Sequence, residues 1–148
     1  MLLRRERAMT AVAIMLDVAF HAGRTEAVSA ADIAERLGQA RRGIEPVLQS
    51  LSRAVLLDSI RGPKGGYRLG RPPRDLRLAE IVSTALDEDG GAEVPAGRLQ
   101  AAVVQPLWTE LEGLCRDHLS RLTVADLIKR AAAAGVKRPT VEPLNFVI

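Results

Sequence analysis

Aromatic residues are nearly absent from this 148-residue chain: it has one Trp, one Tyr and two Phe. Its core must therefore be assembled from Leu, Val, Ile and Ala, within a hydrophobic content of 47%. Cysteine occurs once, which excludes an internal disulfide and agrees with a reducing cytoplasm. Histidine occurs twice, a sparse supply for acid–base, nucleophilic or metal chemistry. No run approaches the roughly 18 consecutive apolar residues of a membrane span, so no membrane partner is expected. The opening "MLLRRERAMTAVAIMLDVAF" resembles a secretory leader only superficially. Asp17 interrupts its apolar part and no small-residue cleavage site follows, so a buried first helix is expected.

What is present is unevenly distributed. The formal net charge is +3, yet residues 1–77 hold 14 Lys and Arg against 8 Asp and Glu, and residues 78–148 hold 7 against 10. A basic front and an acidic back suit a polyanion-facing part joined to something else. Charge alone does not separate this reading from scattered, solvated arginines.

Periodicity divides the front into three helices and a hairpin. Met9, Val12, Ala13, Leu16 and Phe20 are apolar at helical spacing over 5–22, and Gly23 can end that helix. Ser29 and Asp32 have capping-box spacing for a second helix that Gly38 closes. After the short link "QARRG", Ile44, Val47, Leu48 and Leu51 share one face of a third helix. Pro46 should lie within its first turn, because a deeper proline breaks the hydrogen-bond ladder. Two helices separated by so short a turn have the helix-turn-helix rhythm. "LLDSIR" and "YRLG", joined by "GPKGG", then form a hairpin, so residues 1–77 predict a winged helix-turn-helix domain. Pro72 and Pro73 end the pairing.

Residues 78–135 are expected to form a helical dimerisation region. It begins with a helix through Leu78, Ile81, Val82 and Leu86. A long helix near 106–122 starts at Pro106, with "RLQAAVV" a separate short turn before it. Its apolar residues form two stripes. The first is Leu107, Leu111 and Leu114; the second is Trp108, Leu111, Cys115, Leu119 and Leu122. One stripe serves the parent domain, and the other suits a copy of the chain in a homodimer; a single thick core contact is the alternative. Thr123 and Asp126 cap a last helix that Gly135 closes. Residues 136–148 form a tail with two prolines. The overall fold class is thus mainly α with a small β-hairpin.

The glycine-rich, basic "RGPKGGYRLG" invites a phosphate-cradle reading, and its surroundings argue against one. It lacks the G-x-x-x-x-G-K-[ST] order of a nucleotide-binding loop. A strand follows it, so no helix N-terminus is available to hold a phosphate. No acid–base or nucleophile pair stands out elsewhere, and no enzyme activity is expected. Cys115 and His118 have i,i+3 spacing on the long helix. Two such pairs across a two-fold axis would supply four zinc-type ligands, but a cysteine on an apolar stripe more often packs as a small hydrophobe.

"MLDVA", "ADIAERLG", "RGPKGGYRLG", "AEIVSTALDE" and "PLWTEL…LTVADLI" together resemble the Rrf2 family of bacterial winged-helix regulators, in the same order and spacing from about Ala11 to Ile128. The resemblance implies a homodimer that binds a double-stranded DNA operator as a transcriptional regulator, with a repressor expected. The third helix enters the major groove through Arg41, Arg42, Glu45 and Gln49, and the wing approaches the minor groove with Arg61 and Lys64. The chemistry agrees, since a carboxylate accepts from cytosine N4 and arginine suits guanine, phosphate or a narrow minor groove. Glu45 has pairing with a neighbouring arginine as its alternative role.

The chain departs from the family at two places. Many members hold an iron–sulfur cluster through three cysteines before the long helix, where this chain reads "DGGAEVPAGRLQAAVVQ". A further ligand histidine would fall at Gln105. Such clusters need thiolates or comparable ligands, so no iron–sulfur cofactor is expected, and control would pass to a small-molecule or protein effector. The loop at 87–105 is expected to connect helices, with closure over a ligand as the alternative. The second departure is Val55, where glycine is usual. A β-branched residue resists positive φ, so a different turn is expected there. A dimeric protein-interaction module that acts through a partner protein, without specific DNA binding, is the competing function.

Overall fold

The computed structural model describes residues 5–23, 26–86 and 97–136. Helix α1 (Arg5–His21) lies at its centre, touched by the second, third, fourth and last helices and by the wing. Its buried face is Ala11, Ile14, Met15, Val18 and Ala19. The periodicity instead pointed to the stripe of Met9, Val12, Ala13, Leu16 and Phe20, of which Met9 is 57% exposed and the rest are half-buried. The helix is apolar nearly all round, so periodicity alone does not choose a face; packing chooses it.

Helix α2 (Ala30–Leu37) starts at Ser29, whose Oγ accepts from the Asp32 N–H at 3.1 Å, and ends at Gly38 with φ 63°. Ile33 and Ala34 turn inward. Helix α3 (Arg41–Arg53) buries Ile44, Val47, Leu48 and Leu51 beside Ile14, Met15 and Ile33. Burying such a side chain stabilises the fold by about 1.5–3 kcal/mol relative to exposure. The helix begins earlier than its proline suggested, so Pro46 is its sixth residue rather than lying in its first turn. Arg41, Arg42 and Gly43 therefore belong to the helix and not to the link. Pro46 has no N–H to donate to the Arg42 carbonyl, and Ser50 Oγ donates to the Pro46 carbonyl at 2.8 Å.

Helix α3 ends in a Schellman turn. Leu56 N–H donates to Leu51 O at 3.0 Å and Val55 N–H to Ser52 O at 3.0 Å. Val55 occupies the left-handed position with φ 60°. The turn is therefore kept, contrary to the altered geometry expected from a β-branched residue. Two backbone hydrogen bonds and the seating of Leu56 and Leu57, both buried, override the local preference.

Strands β1 (Leu57–Ile60) and β2 (Gly66–Leu69) pair antiparallel, with Leu57 opposite Leu69 and Ser59 opposite Tyr67. Val28 adds a third, minimal strand through two 2.8 Å hydrogen bonds with Tyr67. This closeness requires glycine at 66, where a Cβ would meet the Val28 carbonyl oxygen at 2.3 Å. The wing is thus tied to the segment that leads into α2.

A 3-10 turn (Pro73–Asp75) leads to α4 (Leu78–Leu86), whose Leu78, Ile81 and Ala85 complete the core against α1. The core therefore continues across the expected boundary at residue 77. Residues 98–104 are helical, with a π-helical stretch at Gln100–Val104, and run straight into α5 (Gln105–Ser120). "RLQAAVV" is accordingly continuous with the long helix rather than a separate turn. The wide π turn lies just before Pro106, which lacks an N–H and whose ring crowds the preceding turn. Helix α6 (Val124–Ala133) opens with the Thr123–Asp126 capping box. It closes at Gly135, with φ 83°. Leu78 N–H to Leu122 O (2.9 Å) and Val124 N–H to Leu76 O (3.0 Å) clamp the α5–α6 corner to the domain. The loop at 87–96 and the tail at 137–148 lie outside the described residues.

Candidate nucleic-acid interface

Helix α3 divides into two faces. Its apolar residues point inward, which leaves Arg41, Arg42 and Gln49 exposed and Glu45 half-exposed on the outer face. Strand alternation turns Ser59 and Tyr67 of the wing toward that face. Between them lies a groove of about 370 Å³, lined by Arg41, Glu45, Gln49, Ser29, Ser59 and Tyr67 among others. The structure thus brings three of the four expected helix residues together with the wing. Arg42 lies on the same exposed side but does not line the groove.

Within the groove Arg41 Nε donates to Glu45 Oε1 at 3.0 Å, one turn apart. This is the neighbouring-arginine pair weighed for Glu45. Both side chains are well exposed, so the pair contributes only a few tenths of a kcal/mol, about 0.3–0.5. It orients the carboxylate without locking it.

Arg61 and Lys64 stand exposed on the wing loop. Among the described residues, neither they nor Arg42 has an ion-pair or hydrogen-bond partner. Their neighbours behave differently: Arg68 is paired with Asp58 at 2.7 Å and Arg71 with Glu80 at 2.6 Å. Exposed cations without an internal partner are those that can release counterions to a polyanion. Ser59 was not singled out from the sequence, and Ser29 and Tyr67 were read only as a helix cap and a hairpin residue. The cross-strand register Ser59↔Tyr67 and the Ser29 cap were the signals that could have found them.

The long helix presents its apolar residues in two ways. Leu119 and Leu122, from the second stripe, pack against the chain's own core. Leu107 (47%), Trp108 (38%) and Leu114 (61%) are exposed, as is Val103 in the π-helical stretch, and Leu111 and Cys115 are half-buried. No residue of α5 is fully buried. Cys115 and His118 share this helix, and no group of three or more metal-binding side chains forms among the described residues.

The donor set does not fit an iron–sulfur cluster. Residues 87–105 contain no thiol, and the chain's one cysteine lies well inside α5. Gln105, which begins that helix, offers an amide instead of an imidazole.

The chain matches the family model Rrf2, described as "Iron-dependent Transcriptional regulator", over residues 5–130. It is 35% identical to the HTH-type transcriptional regulator IscR of Vibrio atlanticus (strain LGP32) over 124 residues, covering 80% of this chain and 70% of that protein. Its fold superimposes on T. potens IscR with a TM-score of 0.69 at 30% identity, covering 87% and 88% of the two chains. It also superimposes on CymR, the global cysteine regulator of B. subtilis, with a TM-score of 0.66 at 25% identity, covering 84% and 95%. With the three-helix unit, the paired wing and the groove between them in place, the chain belongs to the Rrf2 family of winged helix-turn-helix transcriptional regulators.

Proposed function

We propose that the chain is a DNA-binding repressor that acts as a homodimer in the cytoplasm without an iron–sulfur cluster. The observation that carries this reading is the unpaired set Arg42, Arg61 and Lys64 around the groove that holds Glu45 and Gln49. The outer face of α3 enters the major groove, where Glu45 accepts from cytosine N4 and Gln49 reads adenine. Arg61 reaches the minor groove, and Lys64 and Arg42 supply salt-dependent attraction to phosphates.

Dimerisation is supported by the stripe of exposed Val103, Leu107 and Leu114 beside half-buried Leu111. A long helix with no buried residue leaves an apolar face that a second copy can cover, and an isologous contact pairs that face with itself. Two copies place two α3 helices on one side of the duplex, with half-sites about one helical turn, roughly 34 Å, or a multiple of it apart. The absence of thiols between Asp87 and Gln105 supports cluster-free operation, with a different effector setting occupancy.

Gel-shift and footprinting on the promoter of the chain's own gene test the proposal, with in vitro transcription to read the sign of regulation. Protection of a two-fold symmetric site and reduced transcript are expected. A stable protein complex with no specific protection would instead assign the chain to partner binding.

A further inference from the structure

Two residues of α3 are poorly suited to a helix, and burial explains neither. Glycine and proline are the weakest helix formers, yet Gly43 and Pro46 both lie in the first half of α3, and both are exposed. Gly43 has no positive φ to require glycine, and a Cβ added there would meet nothing within 4 Å. Pro46 removes one N–H from the helix ladder, and its ring crowds the Arg42 carbonyl. Local rules broken without a return in packing point to a functional surface.

Arg42, Pro46, Gln49 and Arg53 lie at i, i+4, i+7 and i+11 of α3, which helical periodicity stacks into one line. All four are exposed, and the line is opposite the buried Ile44, Val47, Leu48 and Leu51. Pro46 therefore stands in the middle of the surface that α3 turns outward, with Glu45 and the wing groove to one side. Its neighbours on the line end in polar groups, whereas its own side chain is a compact hydrocarbon ring. Among base edges in the major groove, the C5-methyl of thymine is the apolar partner for such a ring. Gly43, without a side chain, lets the helix backbone come close to the duplex beside it.

We propose that Pro46 is a specificity-determining residue that selects thymine by packing against its C5-methyl group. This rests on the reading of α3 as the major-groove helix. Consecutive Cα atoms are about 3.8 Å apart, close to the spacing of about 3.4 Å between successive bases on a strand. The selected thymine therefore adjoins the cytosine that donates to Glu45.

The test selects duplexes from a random-sequence pool with the full wild-type chain and measures affinity for the enriched duplex by fluorescence anisotropy. Each thymine of one half-site is then replaced in turn by deoxyuridine, which lacks only the methyl group. One thymine, next to an enriched cytosine, should prove methyl-dependent, with affinity falling about fourfold for the loss of one buried methyl. Pro46→Ser should bind the thymine and deoxyuridine duplexes equally, and selection with it should lose the preference for thymine at that position. Its salt dependence should match the wild type, and its circular dichroism spectrum should be unchanged, because serine supplies the N–H that proline lacks. Specific binding in which no thymine is methyl-dependent would overturn the inference and leave the DNA reading intact. So would a Pro46→Ser variant that keeps the full methyl effect, since proline would then act only through the shape of the helix. A wild-type chain that enriches no sequence would overturn the DNA reading and this inference with it.

Discussion

Asp17 and Arg36 form a two-pronged pair, with Nε on Oδ1 and Nη2 on Oδ2, both at 2.9 Å. The residue that made the first apolar segment unlike a secretory leader is thus the one that fixes α1 to α2. Its side chain is only 8% exposed, whereas that of Arg36 is 32% exposed. The hydrogen bond to Asp17 raises the Arg36 pKa above its ordinary value against the opposing effect of desolvation. That contribution is complete below the unfolded pKa and is lost only above pH 12, so arginine titration adds no pH dependence in the working range. Arg36→Met would leave the buried carboxylate with only His21, whose Nε2 lies 3.7 Å from Asp17 Oδ1. Breaking a fully buried pair costs about 3–5 kcal/mol, and exposure of Arg36 reduces this to about 1–3 kcal/mol. Urea unfolding should show that loss, with Arg36→Lys in between; a midpoint shift close to zero would contradict it.

Val55 holds a left-handed backbone at 65% exposure. An L-residue pays about 1–2 kcal/mol there, and glycine's extra chain entropy offsets part of the relief. Val55→Gly should therefore stabilise the fold by about 0.5–1 kcal/mol, visible as a rise of a few degrees in Tm. A fall in Tm would mean that the valine side chain makes a contact that outweighs its backbone strain.

The Thr123–Asp126 capping box gives α6 an acid-sensitive start. Hydrogen bonds from the Thr123 backbone and side chain hold the Asp126 carboxyl below its ordinary value of 3.8. A depressed folded pKa contributes stability above the unfolded value and loses it as pH falls through the folded one. The loss therefore lies below about pH 4. Asp126→Asn should flatten the acid limb of a stability–pH curve measured by urea midpoints. Thr123→Ala should cost about 1 kcal/mol at neutral pH.

Leu107 and Leu114 lie on α5 at 47% and 61% exposure. Leu107→Glu combined with Leu114→Glu should yield folded monomers in analytical ultracentrifugation, with circular dichroism unchanged. Operator affinity should fall by at least tenfold, because the half-sites are then bound independently. A dimer that survives both substitutions would place the contact elsewhere.

Much of this architecture could be read from local signals. Ser29, Gly38, Thr123 and Gly135 each mark a helix end where the structure has one, because caps depend on neighbours within five residues. The wing followed from "GPKGG" between alternating segments. What escaped was decided at long range. α1 has two apolar faces, and only its neighbours determine that Ile14 turns inward and Met9 outward. Val55 keeps a glycine-type turn because the Leu51 carbonyl and the burial of Leu56 hold it there. Pro106 is the second residue of α5 and does not begin the helical run, since the π-helical stretch Gln100–Val104 precedes it. At the site, Arg41, Glu45 and Gln49 came from the family resemblance, whereas Ser29, Ser59 and Tyr67 needed the pairing register to bring them to the same groove.

The central claim is that α3 and the wing read DNA together, and footprinting with Arg61→Ala tests it most directly. The wild-type chain should protect two half-sites about one helical turn, or a multiple of it, apart. Arg61→Ala should cost about 1–3 kcal/mol, roughly 5- to 150-fold in affinity, with protection lost first at the wing-facing bases. Undiminished protection by the variant, or no specific protection by the wild-type chain, would contradict the account.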